Sequence, residues 1–370
     1  MNILIIGNGF DLAHGLKTGY TDFLDLIREF SDSRGASCRT DSDGSTCFFC
    51  SEPEIFARVS RSDIYKYMRS IREANKGWID FENELREIVN GVCEFSTDFV
   101  RTRSSVSKNG IKLGYRLKSH WEQDASPFMY FFMENHENHD FTHQNSPDID
   151  LDKINGTVFE QISDFIELFR RYIIWLDKFK VPETEEIEPY RSLHIDHLLS
   201  FNYTETAPYL YGRQWELKPE NICYVHGRVT DDADPSIVMG IGSDYYDACK
   251  YSDFLPLFKF YQCYKYKTDT SFLKWLGKDA AVHYSSSLDH LPHEECNIYI
   301  YGHSLDPTDE NILLNFFDYS PENTDVRIII YYRRPGSLLS MEKNLIKILG
   351  REKFTAYLSG DAPKIMFQKL

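Results

Sequence analysis

Positive charge is scarce in this chain. It has 41 Lys and Arg residues against 57 Asp and Glu, a formal charge of −16 over 370 residues. Such a field repels a phosphate-rich polymer unless a local basic patch overrides it. The nearest patch is Arg327 with Arg333 and Arg334, which reads as a solvated strand end. Nucleic acid is therefore not an expected partner, and a nuclease, which would need a basic channel, is disfavoured. Long apolar runs are missing too, since no stretch approaches the roughly 20 residues that span a bilayer. The first residues carry no basic region ahead of a long apolar stretch with a small-residue cleavage site, because residues 3–6 are only of strand length. These absences predict a soluble, cytoplasmic protein with no membrane partner.

Paired metal-ligand elements are also lacking. Cys38, Cys47 and Cys50 cluster in a Ser/Asp/Gly-rich stretch, but one Cys-x-x-Cys with a single further cysteine falls short of the usual four zinc ligands. The eight cysteines are expected as thiols. His136, His139 and His143 fall in a segment, 134–150, whose Asn, Asp, Ser and Pro content predicts a loop rather than a rigid site. No metal is expected, and no internal repeat is visible.

What is present begins at residue 2. An apolar run at 2–6 enters Gly7-Asn8-Gly9-Phe10-Asp11 and then a helix leading to Gly15. Glycines there allow a tight turn and close approach of backbone to a pyrophosphate, although Leu12 breaks the G-x-G-x-x-G spacing of hydride-transfer enzymes. Helical periodicity follows over 20–30, 55–71, 78–89 and 159–179. Short apolar strands then return at 197–202, 221–226, 236–240, 297–302 and 326–332, with helices at 309–317 and 338–349. The pattern predicts an α/β, Rossmann-like fold with a mainly parallel six-stranded sheet and a large helical insertion after the first βα unit. The sheet domain would comprise 1–19 and 191–370, and the insertion 20–190.

Ligands of open parallel sheets sit beyond the carboxyl ends of the strands. Four predicted strand ends carry small or polar residues: Gly7-Asn8-Gly9, Asn202-Tyr203-Thr204, His226-Gly227 and Gly302-His303-Ser304-Leu305-Asp306. Singly, Asn202 and His226 are best read as polar residues that organise turns. Their joint appearance at successive strand ends marks a site.

Their order, with Gly15 after the first turn and Ile-Val-Met-Gly at 237–240, resembles the sirtuin-type NAD-binding fold. Within that group, Gly-Asn-Gly-Phe-Asp-Leu-Ala-His-Gly-Leu at 7–16 with Thr18, Tyr20 and Phe23, Ser-Phe-Asn-Tyr-Thr at 200–204, and Gly-His-Ser-Leu at 302–305 resemble the bacteriophage abortive-infection AbiH family. In the insertion the resemblance rests on features such as Trp78 and Glu82.

The resemblance implies hydrolysis of NAD to nicotinamide and ADP-ribose in phage defence, by a NAD glycohydrolase that takes NAD as substrate and requires no cofactor. Gly7 and Gly9 would cradle phosphate through their N–H groups, Ser304 would contact phosphate or ribose, and Asn8, Gly15, Gly227, Gly302 and Asp306 would complete the nucleotide site. Asn202 would orient the nicotinamide ribose or a water, and His226 would be general base. Asp11 stands where sirtuin-type sequences carry a small residue; it would stabilise cationic charge in catalysis, or else mark a nucleotide bound differently. Thr204 replaces the acidic residue expected two places after the Asn. Only 228–236 separate Gly227 from Ile237, with no cysteine, so the four-cysteine zinc module of a protein deacylase has no room. The alternative implied role is a non-catalytic nucleotide-binding sensor or interaction module whose insertion meets a phage or host protein. A homo-oligomer stays open, since no heptad pattern argues for a particular assembly.

Overall fold

Ile3, Leu4, Ile5 and Ile6 are each at most 1% exposed, so the first strand, β1 (Asn2–Ile6), is covered on both faces. Ile3 and Ile5 join one apolar cluster with Ile298, Ile300, Ile328 and Leu345. Leu4 and Ile6 join another with Phe10, Leu198, Tyr211 and Trp215. This alternation is the signature of a central parallel strand, and burying each such side chain contributes roughly 1.5–3 kcal/mol.

The computed structural model describes every residue except 33–47, 76–80, 107–125, 137–149, 189, 230–236, 243–251, 278–293 and 323. Around β1 stand β2 (His197–Ser200), β3 (Ile222–Tyr224), β4 (Glu294–Tyr301), β5 (Thr324–Tyr332) and β6 (Ile365–Lys369). They form one six-stranded sheet in the order β3-β2-β1-β4-β5-β6, with every neighbouring pair parallel. This is the doubly wound order whose direction reverses between β1 and β4. The expected α/β Rossmann-like fold is the one observed.

One expected strand is not there and one was not foreseen. Residues 237–239 lie outside any strand: Val238 N–H donates to His226 O at 2.8 Å, Tyr203 Oη donates to Val238 O at 2.8 Å, and no ladder follows. Apolar burial there is achieved without strand pairing. β6 replaces it at the far edge, where only Ile365 is buried and the sequence shows little alternation.

The chain divides into two compact units, one of residues 1–19, 173–238 and 262–370, the other of 20–172 and 239–261. The first holds the sheet. The second is helical, with an aromatic interior in which Tyr20 stacks on Phe81 and Phe169 at 4.3 and 4.6 Å, and Phe23 on Tyr172 at 5.1 Å. Residues 239–261, placed by sequence with the sheet, cluster with these helices. His136, at the end of the helix Pro127–Asn135, directs Nε2 to Asp63 Oδ2 at 2.9 Å, whereas His139 and His143 lie outside the described residues. Cys93, Cys223, Cys263 and Cys296 are thiols outside any disulfide, as expected. Cys50 is disulfide-bonded, contrary to expectation. Cys38 and Cys47 lie outside the described residues. No helix among the described residues is long and apolar enough to cross a membrane.

At the reversal point two loops fuse through backbone. Gly7 N–H donates to Tyr301 O at 3.0 Å and Gly9 N–H to Gly302 O at 2.8 Å. A Cβ on Gly302 would lie 2.2 Å from Phe10 N, and one on Gly9 would lie 2.7 Å from Gly302 Cα. Gly302 also has φ +65°, which side chains disfavour. Gly15 shares a positive φ of +81° but has open space where its Cβ would stand. Chemical denaturation should therefore separate the two. Gly302→Ala should cost about 3 kcal/mol or more, strain plus overlap, and Gly15→Ala about 1 kcal/mol, strain alone. Equal losses would mean that loop contact is not what the glycine at 302 provides.

Candidate functional site

The carboxyl ends of the strands finish level with one another. Phe201 N–H donates to Ile6 O at 2.9 Å and Val225 N–H to Ser200 O at 3.1 Å. Asn202 and His226 therefore leave the sheet side by side, each one residue past these last pairs. Ser200, wholly buried, holds the Asn202 turn: Asn202 N–H donates to its Oγ at 3.1 Å, and the hydroxyl donates back to Asn202 O at 3.2 Å.

Asp11 reaches the same edge from the first helix, Asn8–Ala13, and is 1% exposed. Thr204 Oγ1 donates to Asp11 Oδ2 at 2.6 Å. A hydroxyl has one proton to give, so Thr204 receives from Thr206 Oγ1, 3.0 Å away. Asp11 Oδ1 and both amide atoms of Asn202 are buried with no hydrogen-bond partner among the described residues. Leaving such atoms dry costs on the order of 1–3 kcal/mol each, and buried polar groups in this state require an explanation. Burial pushes the Asp11 carboxyl up from 3.8 to about 6, and the Asp177 charge adds to this. The Thr204 and Thr206 hydroxyls and the nearby Asn202 amide act in the opposite sense. The amide lies near enough to be felt electrostatically without hydrogen-bond geometry.

A second cluster stands beyond β3 and β4. His226 Nε2 lies 3.1 Å from Asp309 Oδ1, and His303 Nε2 lies 3.4 Å from Asp309 Oδ2, all three side chains being buried. Phe201 packs on both rings, at 5.3 Å from His226 and 4.2 Å from His303. Leu305 N–H donates to His303 Nδ1 at 2.9 Å. Leu305 does so from a left-handed φ of +56°, a conformation that costs a branched residue about 1–2 kcal/mol and that persists where its surroundings hold it.

The structure thus brings Asp11 and Asn202 together and sets His226 on the adjacent strand end. The other expected residues have different placements. The N–H groups of Gly7 and Gly9 are engaged by Tyr301 O and Gly302 O, which corrects the expectation that they cradle phosphate. Asn8 Oδ1 accepts from Thr18 Oγ1 at 2.5 Å. Asp306 caps the turn Pro307–Asp309 by accepting from Thr308 N–H at 2.9 Å. Gly227 turns at φ +75°, and its N–H donates to Tyr224 O at 3.0 Å. Ser304 is exposed, with its carbonyl accepting from Asn344 Nδ2 at 3.1 Å. His14 packs locally, with Nδ1 at 2.8 Å from Phe10 O and Nε2 at 2.8 Å from Tyr211 Oη. Sequence reasoning missed Asp309; its only trace was an acidic residue at the start of a helix, which reads as a cap. A cavity of about 330 Å³ lined by Asn221, Ile222, Lys274 and Trp275 lies at the opposite, amino end of β3 and takes no part in this site.

The raised Asp11 value has a stability consequence. The folded chain binds this proton more tightly than the unfolded chain, so the contribution is full below about pH 4 and is lost as pH rises through about 6. The loss amounts to about 3 kcal/mol. Asp11→Asn keeps an acceptor for Thr204 without the charge. Its stability relative to wild type, followed by denaturation across pH, should rise by about that amount between pH 4 and pH 7. Parallel curves for the two proteins would contradict the buried-charge account.

No curated protein and no solved structure is detectably similar to this chain. One family model, described as bacteriophage abortive infection AbiH, matches residues 3–332. The chain belongs to that family and is by membership a phage abortive-infection protein.

Proposed function

We propose that the protein acts in phage defence by hydrolysing NAD to nicotinamide and ADP-ribose, at the carboxyl edge of the sheet where Asp11, Asn202 and His226 stand. The observation that carries this reading is the set of three buried polar atoms on Asp11 and Asn202 that have no hydrogen-bond partner among the described residues. A carboxylate oxygen, an amide oxygen and an amide N–H pair suit vicinal hydroxyls, which both donate and accept. A ribose brings such hydroxyls to an enclosed site where each hydrogen bond counts for more than in water.

Cleavage of the nicotinamide bond passes through an oxocarbenium-like ribosyl cation. The electron pair of the breaking C1′–N bond goes to the nicotinamide ring, and a water oxygen bonds to C1′. Asn202 orients the ribose or that water, and His226 receives the proton water loses. Asp11 supplies negative charge near the developing cation, where a preorganised group in a dry site is most effective. The acidic residue that sirtuin-type sequences carry in place of Thr204 is thereby supplied from the first helix, since Thr204 holds Asp11 Oδ2. The glycine junction between β1 and β4 lies at the reversal point, where sheets of this order receive a dinucleotide.

The test is nicotinamide release from NAD by the purified protein, alone and with phage lysate as the activating condition. Wild type should release nicotinamide and ADP-ribose in equal amounts. Asn202→Ala and His226→Ala should each lower kcat by about 10²-fold or more, and Asp11→Asn should lose activity while gaining stability at neutral pH. Saturable NAD binding without release in any condition would overturn hydrolysis in favour of a sensor, and equal release by the variants would remove these residues from the chemistry.

A further inference from the structure

At the amino edge of the sheet, away from Asp11 and Asn202, lies the cavity of about 330 Å³ whose lining includes Glu220, Asn221, Asp269, Ser271, Lys274 and Trp275. Its wall is tied to the sheet. Cys223 Sγ, on β3, donates to Asp269 O at 3.4 Å, and Ser271 N–H donates to Asp269 Oδ1 at 2.8 Å, so the carboxylate is held in place. Trp275 stands at the start of β2, its ring stacked on His197 at 4.6 Å. Burial holds that imidazole below the ordinary histidine range, so a neutral ring backs the indole.

The charges of the lining narrow what it can receive. Glu220 and Asp269 bring two carboxylates and Lys274 one ammonium, all on exposed residues and none in an ion pair among the described residues. Ser271 Oγ is buried in the same wall with no hydrogen-bond partner among the described residues. A phosphate would meet net negative charge here, on a chain whose overall charge is −16, so nucleotides are poor ligands for it. A flat cation suits it. A guanidinium makes paired hydrogen bonds to a carboxylate and stacks on an aromatic face, which a compact ammonium does less well. Lys274 and the Asn221 amide then remain for an anion on the same ligand. The volume is at the small end for ligand sites, matched to an amino acid rather than a dinucleotide.

We propose that this cavity is a second ligand site, which takes a guanidinium and a carboxylate carried on one residue, as in free arginine or the C-terminal arginine of a peptide. The guanidinium lies against Trp275 and donates to Glu220 and to Asp269 Oδ2. The ligand carboxylate meets Lys274 and the Asn221 amide, and the Ser271 hydroxyl, which can both give and take a hydrogen bond, supplements either end. The site is independent of what the opposite edge of the sheet binds or does.

The test is titration calorimetry of the full-length protein with L-arginine and with the peptide Gly-Gly-Arg. It is read beside the indole N–H signals of ¹⁵N-tryptophan-labelled protein, assigned with Trp275→Leu. L-arginine should bind at a single saturable site and shift the Trp275 signal. Glu220→Gln and Lys274→Gln change exposed residues and should keep the fold, and each should weaken arginine about threefold to tenfold. Agmatine, which lacks the carboxylate, should be weakened by Glu220→Gln but not by Lys274→Gln. Citrulline, flat but uncharged at the side chain, should not bind. Arginine bound without Gly-Gly-Arg would identify the free amino acid as the ligand, and comparable binding of both would identify a peptide terminus. No saturable binding of either, citrulline bound as tightly as arginine, binding unaffected by Glu220→Gln and Lys274→Gln, or a Trp275 signal that does not move would overturn the proposal.

Discussion

The backbone junction of the first and fourth strand loops is the constraint on which the site depends. Two hydrogen bonds, Gly7 N–H to Tyr301 O and Gly9 N–H to Gly302 O, bring the chains so close that no Cβ fits on the facing sides. Because Gly9 is fixed, the helix Asn8–Ala13 starts at a set position and carries Asp11 to the edge of the sheet. Because Gly302 is fixed, His303 and the strained Leu305 follow in one arrangement, and His303 meets Asp309. One contact thus helps set both polar clusters, through Asp11 in the first and His303 in the second.

The clusters themselves run against local economy in the same way. Asp11 is an ionisable group in a place that raises its pKa to about 6. Asn202 is buried with its amide unpaired among the described residues. Asp309 leaves a helix end uncapped, and Leu305 adopts a backbone conformation suited to glycine. Each departure costs on the order of 1–3 kcal/mol, and all fall along a single edge of the sheet while its interior is packed mainly from aliphatic and aromatic residues. Proteins keep local conflicts of this kind where function requires them.

Much of this was legible in the sequence. The run Ile3–Ile6 ahead of Gly7 announced a buried central strand, and four of the later strands announced themselves by short apolar runs. β6 did not, because an edge strand with one buried residue is held by backbone pairing rather than by an apolar pattern. The segment around Val238 misled for the opposite reason: it is apolar and buried but unpaired as a strand. Asn202, Asp11 and His226 were visible as polar residues at strand ends. What the glycines do was not, since spacing alone does not distinguish a loop that approaches a phosphate from one that approaches another loop. Asp309 was hidden by its position, because an acidic residue before a helix reads as a cap, and only the fold brings it to His226 and His303.

The central claim is that the unpaired atoms of Asp11 and Asn202 receive the ribose next to nicotinamide. The most direct measurement is a crystal structure of the full chain bound to NAD, obtained with His226→Ala to slow turnover. The account predicts ribose hydroxyls within hydrogen-bond distance of Asp11 Oδ1 and the Asn202 amide. NAD bound elsewhere on the chain, with those atoms still unpaired, would contradict it.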